Sequence, residues 1–129
     1  MQENVLFPGY LDDVRDFIGL ADVGFVLSTD VETISLACRE MMAMAKPVLV
    51  SDFSGLRENI CDDVDGWISA KGDISSIEIK VGLIVAEQNR LGMMGLRARE
   101  KAVSDFGADE FARKTADVYR HVCRLNPPS

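Results

Sequence analysis

Two glutamates, Glu32 and Glu40, are the residues of this 129-residue chain whose type and placement point most directly to chemistry. Glu32 lies within a polar run, Ser28-Thr29-Asp30-Val31-Glu32-Thr33-Ile34-Ser35, just ahead of an apolar stretch of helical period. Glu40 lies inside that stretch, Ala37-Cys38-Arg39-Glu40-Met41-Met42-Ala43-Met44-Ala45. Such a helix is expected to be mostly buried, and a buried carboxylate needs hydrogen-bond donors or it is held protonated. Ribose hydroxyls are suitable donors, and each charge-assisted hydrogen bond is worth about 1.5–3 kcal/mol. Pairing of Glu40 with Arg39, Lys46 or water is the other reading of the same residues. Thr33 and Ser35 can cap the helix, whose free N–H groups would favour a phosphate. With 21 acidic residues in the chain, spacing alone proves little. The surroundings must decide.

Those surroundings alternate short apolar runs with longer segments of helical period. Asn4-Val5-Leu6-Phe7 reads as a strand closed by Pro8-Gly9. Asp12 or Asp13 then caps a helix carrying Val14, Phe17, Ile18 and Ala21. Gly24-Phe25-Val26-Leu27 is an apolar run without polar alternation, the pattern of a strand covered on both faces. A helix over about 34–45 must stop at Lys46, because a residue before proline avoids helical geometry, and Pro47 opens the strand Val48-Leu49-Val50. A short helix near Leu56–Ile60, an acidic turn through Asp62, Asp63 and Asp65, and a strand at Trp67-Ile68 follow. From Asp73 onward the period is helical, over about 74–88, 90–103 and 108–124, with Gly92 and Gly95 weakening the middle segment. Strand–helix alternation without two-residue hairpin signals predicts an α/β fold: a parallel sheet of about four strands flanked by helices, with a helical C-terminal segment. One domain is expected over 1–129, with βα units in 1–70 and the helical segment in 71–126.

Composition narrows the function classes. Hydrophobic residues make up 47% and charged residues 27%, a globular balance, and the net charge of −7 disfavours binding to nucleic acid or an anionic membrane by field alone. The longest uncharged apolar run, Val81–Ala86, is far below the roughly 20 residues of a membrane span. Cys38, Cys61 and Cys123 are odd in number and widely spaced, and His121 is the single histidine, so free thiols of a cytoplasmic protein are expected and no structural zinc. Cys61-Asp62-Asp63-Val64-Asp65-Gly66 superficially looks like a calcium loop, but Gly72 stands where the bidentate glutamate belongs, so an acidic turn is the better reading. The methionines read as core filler and His121 as a solvated helix residue.

The segment Glu32 to Val48 resembles the nucleotide-sugar-binding motif of the group 1 (family 4) retaining glycosyltransferases, with two glutamates separated by seven residues, a Met-Ala pair and a Lys-Pro-Val strand start. Val5–Tyr10 with Asp13-Val14, Ala21-Asp22-Val23 with Phe25–Ser28, Gly55–Ile60 with Gly66-Trp67-Ile68, and Asp105-Phe106 with the final helix extend the resemblance over nearly the whole chain. It implies a GT-B enzyme of two Rossmann-like domains, of which this chain is similar to the later part of the C-terminal, donor-binding one. On that resemblance Glu32 is the catalytic-site residue beside the donor sugar. Thr33, Ile34, Ser35 and Leu36 offer backbone amides to the diphosphate or sugar, Glu40 accepts from the ribose, and the turn containing Gly9 and Tyr10 approaches the base. The implied substrate is a nucleoside-diphosphate-sugar, with no metal or other cofactor.

Thr33 and Ala45 stand where the family often has glycine. The cationic residues of the first two donor-domain strands and the whole N-terminal acceptor domain have no counterpart here. The resemblance therefore implies a fragment that is inactive alone and holds nucleotide-sugars weakly. The strand at Gly24–Leu27 would be left with an open edge, which predicts a homodimer through it or a rearranged strand order. A receiver-like, non-catalytic interaction module is the alternative; Phe7-Pro8-Gly9 after the first strand candidate, where receivers need paired acids, disfavours it.

Overall fold

The structure is a computed structural model and describes residues 4–125. Three parallel strands, β1 (Gly24–Val26), β2 (Val48–Ser51) and β3 (Gly66–Ser69), form one sheet in the order β1-β2-β3, with Val26, Val50 and Ile68 in register. Among the described residues six α-helices accompany them: α1 (Arg15–Leu20), α2 (Leu36–Ala43), α3 (Leu56–Asn59), α4 (Ile74–Ala86), α5 (Leu91–Phe106) and α6 (Ala108–Leu125). A single 3-10 turn, Gln88–Arg90, joins α4 to α5, so the long helical tract is broken where Glu87 leaves helical geometry.

The expected α/β architecture with a parallel sheet is therefore present, with three strands among the described residues where about four were expected. Asn4–Phe7 forms no strand. Val5, Leu6 and Phe7 are 55%, 76% and 88% exposed. A strand needs a neighbour to satisfy its N–H and C=O groups, and this segment has none in the sheet.

Strand alternation sorts the core into two layers. Val48 and Val50 face Cys38, Met42, Leu56, Ile60, Ala98 and Ala102, while Leu49 faces Trp67, Ile84 and Met94 on the opposite side. All four residues of β2 are buried, as expected for a central strand covered by helices on both faces. Helix α2 ends in a paired cap: Ala45 N–H donates to the Met42 carbonyl and Lys46 N–H to that of Met41. This cap places Ala45 at φ +58, which explains why a glycine suits that position. Gly95 of α5 lies against the same cap, where a Cβ would overlap the Ala45 carbonyl oxygen. The glycine that lowers the helical propensity of α5 is thus what lets α5 approach α2.

Ion pairs moor the acidic turn before β3. Asp62 accepts from Lys80 of α4 (3.0 Å), Asp63 pairs with Arg90 (3.1 Å), and Asp65 faces Lys101 of α5 (3.8 Å). Asp65 also accepts from the Cys61 amide, and its burial pushes its pKa up.

Candidate functional site

In an open parallel sheet the chemistry collects beyond the carboxyl ends of the strands. Here the Ser51 hydroxyl donates to the Ser28 carbonyl (2.6 Å), and the Asp52 amide to that of Ser69 (2.7 Å). These bonds lock the segments leaving β1, β2 and β3 side by side. The polar run from Ser28 to Ser35 crosses this edge and enters α2.

Glu32 sits within that run, half-buried, with its carboxylate folded onto the loop itself. It accepts from the Ser28 hydroxyl (3.3 Å), the Thr33 amide (3.0 Å) and the Ser35 amide (3.2 Å). Ser35 is the N-cap of α2, its side chain accepting from the Cys38 amide, and it holds this place at φ +48 and ψ +98, a sparsely populated conformation for an L residue. Thr33, the other cap candidate, makes no cap bond. Its carbonyl instead lies against Gly55, where a Cβ would overlap it. A serine in a loop carries no sequence signal for positive φ, although one at a helix start does signal the cap.

The amides of Ile34, Leu36 and Ala37 have no acceptor among the described residues, as expected for the first turn of a helix. The open start of α2 therefore keeps free donors even with Glu32 in place.

Glu40 departs from expectation. Helix α2 buries only Cys38 and Met42, and Glu40 lies on its exposed side. Neither cation that could pair with it does so. The Arg39 Nε donates to Asn59 Oδ1 (2.9 Å) and its guanidinium lies 4.0 Å over the Phe106 ring, while Lys46 Nζ donates to the Gly19 carbonyl (3.0 Å). The Glu40 carboxylate is left open between two concavities. One, of about 370 Å³, is shared with Asp12, Val14, Arg15, Ile18 and Met44. The other, of about 700 Å³, runs between α2 and the α5–α6 junction past Ala102, Phe106 and Arg113.

Glu32 lines neither of the two concavities that Glu40 borders. The turn expected beside them is on the surface, with Gly9 at φ +75 and Tyr10 90% exposed, and it closes over neither glutamate. Next to it, Asp13 accepts from the Arg15 amide and side chain, and this pairing holds its pKa down at about 2.

The chain matches the family Glycosyl transferases group 1 over residues 1–101. It belongs to this family. Among curated relatives of this group 1 glycosyltransferase chain, N-acetyl-alpha-D-glucosaminyl L-malate synthase of Bacillus anthracis is 25% identical over 96% of the chain and 32% of its own length. D-inositol 3-phosphate glycosyltransferase of Xylanimonas cellulosilytica is 31% identical over 88% of the chain and 27% of its own length. In solved structures the same fold recurs in a glycosyltransferase from Rickettsia africae (TM-score 0.87, 19% identity, 98% of this chain and 34% of that one). It recurs also in Anabaena Alr3699/HepE in complex with UDP (TM-score 0.85, 18% identity, 93% of this chain and 33% of that one). The chain thus spans about a third of the length of the glycosyltransferases it matches. No helix among the described residues is long and apolar enough to cross a membrane.

Proposed function

We propose that this chain is the nucleotide-sugar-binding part of a retaining glycosyltransferase that moves a sugar from a nucleoside-diphosphate donor to an acceptor. The observation that carries the reading is the open carboxylate of Glu40. It stands at the rim of two concavities with both neighbouring cations engaged elsewhere, in a chain of the group 1 family. A pair of ribose hydroxyls supplies the donors that this carboxylate lacks within the protein. The diphosphate lies at the start of α2, where the unbonded amides of Ile34, Leu36 and Ala37 and the positive end of the helix favour negative charge.

Glu32 already occupies the Thr33 and Ser35 amides. Donor binding there requires either that Glu32 yield these amides or that phosphate use the remaining three. Its place beside the sugar, next to the anomeric carbon, is its role in this reading. Helix termini supply only partial charge, typically worth about 0.3–1 kcal/mol when exposed. With −7 net charge the chain alone binds donor weakly and does not turn it over.

Saturation-transfer NMR with millimolar UDP-glucose on wild type, Glu40→Ala and Glu32→Gln tests this. The expected result is ribose-centred transfer in wild type that Glu40→Ala abolishes, with no sugar transfer or hydrolysis in any sample. Equal transfer in wild type and Glu40→Ala removes Glu40 from the ribose role. Absence of transfer in wild type overturns donor binding by this chain, and turnover overturns the assignment of catalysis to a larger enzyme.

A further inference from the structure

Asn59 of α3 is completely buried, and each polar atom of its side chain is bonded. Its Oδ1 accepts from Arg39 Nε of α2 (2.9 Å). Its Nδ2 donates to the Ile34 carbonyl (2.8 Å) and, more weakly, to the carbonyls of Leu56 (3.2 Å) and Gly55 (3.3 Å) at the start of its own helix. Arg39 can only donate and a carbonyl can only accept, so this amide has one orientation, oxygen toward α2 and nitrogen toward the loop. The Ile34 carbonyl has no backbone donor among the described residues. Asn59 is what satisfies it.

A trans peptide unit is planar, with its C=O and N–H on opposite sides. Turning the Ile34 carbonyl toward Asn59 therefore turns the Ser35 N–H the other way, where it donates to Glu32 Oε1 (3.2 Å). The preceding unit is oriented alike, for the Thr33 carbonyl lies against Gly55 and the Ile34 amide is left unbonded. This orientation holds Ser35 at φ +48, and a half-turn of the 34–35 peptide would return it to the ordinary negative range. Such a turn would take the Ile34 carbonyl from its only donor. We infer that Asn59 is a positioning residue for this loop, holding the Ile34–Ser35 peptide in its strained orientation so that the Ser35 amide faces Glu32 and the donor phosphate. It acts through the backbone of residues 34 and 35, and in that role it rests on the donor-binding reading above.

Proton–nitrogen correlation NMR of the 129-residue chain, as wild type and Asn59→Leu, each with and without Glu32→Gln, tests this. Leucine fills the place of Asn59 and cannot donate. In wild type, Glu32→Gln is expected to move the amide signals of both Thr33 and Ser35, the two backbone donors to that carboxylate. In Asn59→Leu only the Thr33 signal is expected to respond, at unchanged circular dichroism, because the peptide before Thr33 has no bond to Asn59. UDP-glucose binding by saturation transfer is expected to fall about tenfold there, as when the competent loop drops to about a tenth of the molecules. Arg39→Met, which keeps Asn59 but frees its amide to turn, is expected to lie between the two. A Ser35 signal that still follows Glu32→Gln in folded Asn59→Leu overturns the inference, and so does equal UDP-glucose binding in wild type and Asn59→Leu. Should Asn59→Leu fail to fold, Arg39→Met decides, and a wild-type Ser35 response in it overturns the inference. Absence of UDP-glucose binding in wild type overturns the donor reading instead, while the Ser35 signal still decides whether Asn59 holds the loop.

Discussion

The sheet with α2 and α5 differs from the segment 4–20 in one respect that accounts for most of the others. Residues of β2, α2 and α5 bury Met42, Leu49, Met94 and Ala98 almost completely, whereas α1 buries no residue and Phe7, Tyr10 and Leu20 stand 88%, 90% and 85% exposed. Both regions are apolar in sequence. Only the first has a second layer to pack against, and an apolar face without one gives no stability and no fixed shape. The two glutamates divide along the same line. Glu32 belongs to the packed edge and is held by three donors, while Glu40 borders the concavity lined by Asp12, Arg15 and Ile18 of segment 4–20 and has none.

Substitutions can sharpen the contrast. The largest effect is expected at Gly95, where a methyl group would overlap the Ala45 carbonyl and force α5 away from α2. Gly95→Ala should lower unfolding free energy by about 2–3 kcal/mol in urea titration, despite its better helix propensity. A change close to that of an ordinary surface site would show that the α2–α5 contact is looser than described. Ala45→Gly acts on the same contact in the opposite direction. It relieves a left-handed residue at the α2 cap and should raise stability by about 0.5–1 kcal/mol, the gain in strain exceeding the loss to unfolded-state entropy. Destabilisation there would mean the cap is not formed. The smallest effect is expected in the exposed segment, where Leu20→Ser should stay within about 0.5 kcal/mol of wild type by the same titration. A loss comparable to that at Gly95 would place α1 in a packed layer.

The legible part of the molecule was the part with local signals. Pro47 fixed the start of β2, the unbroken Val48-Leu49-Val50 run announced a strand covered on both faces, and the Glu32–Val48 segment carried the family resemblance. Three features were not readable. Asn4–Phe7 has the composition of a strand but no neighbour, and pairing is a long-range property. The apolarity of α2 suggested full burial, but a helix on one face of a sheet buries one side only, which left Glu40 outside. Ser35 holds a positive φ that its residue type does not advertise, and the hydrogen bonds of Glu32 to its own loop depend on that conformation. The roles expected of Glu32 and Glu40 rest on resemblance, and the geometry adds that one is occupied by its loop and the other is open.

The acidic turn before β3 bears on how this chain can be divided. Asp62, Asp63 and Asp65 grip Lys80, Arg90 and Lys101, which lie on three successive pieces of the helical half. Six residues of loop thus act as a clasp on α4, the 3-10 turn and α5. Severing the chain at that point would strand three carboxylates on one piece and their cations on the other.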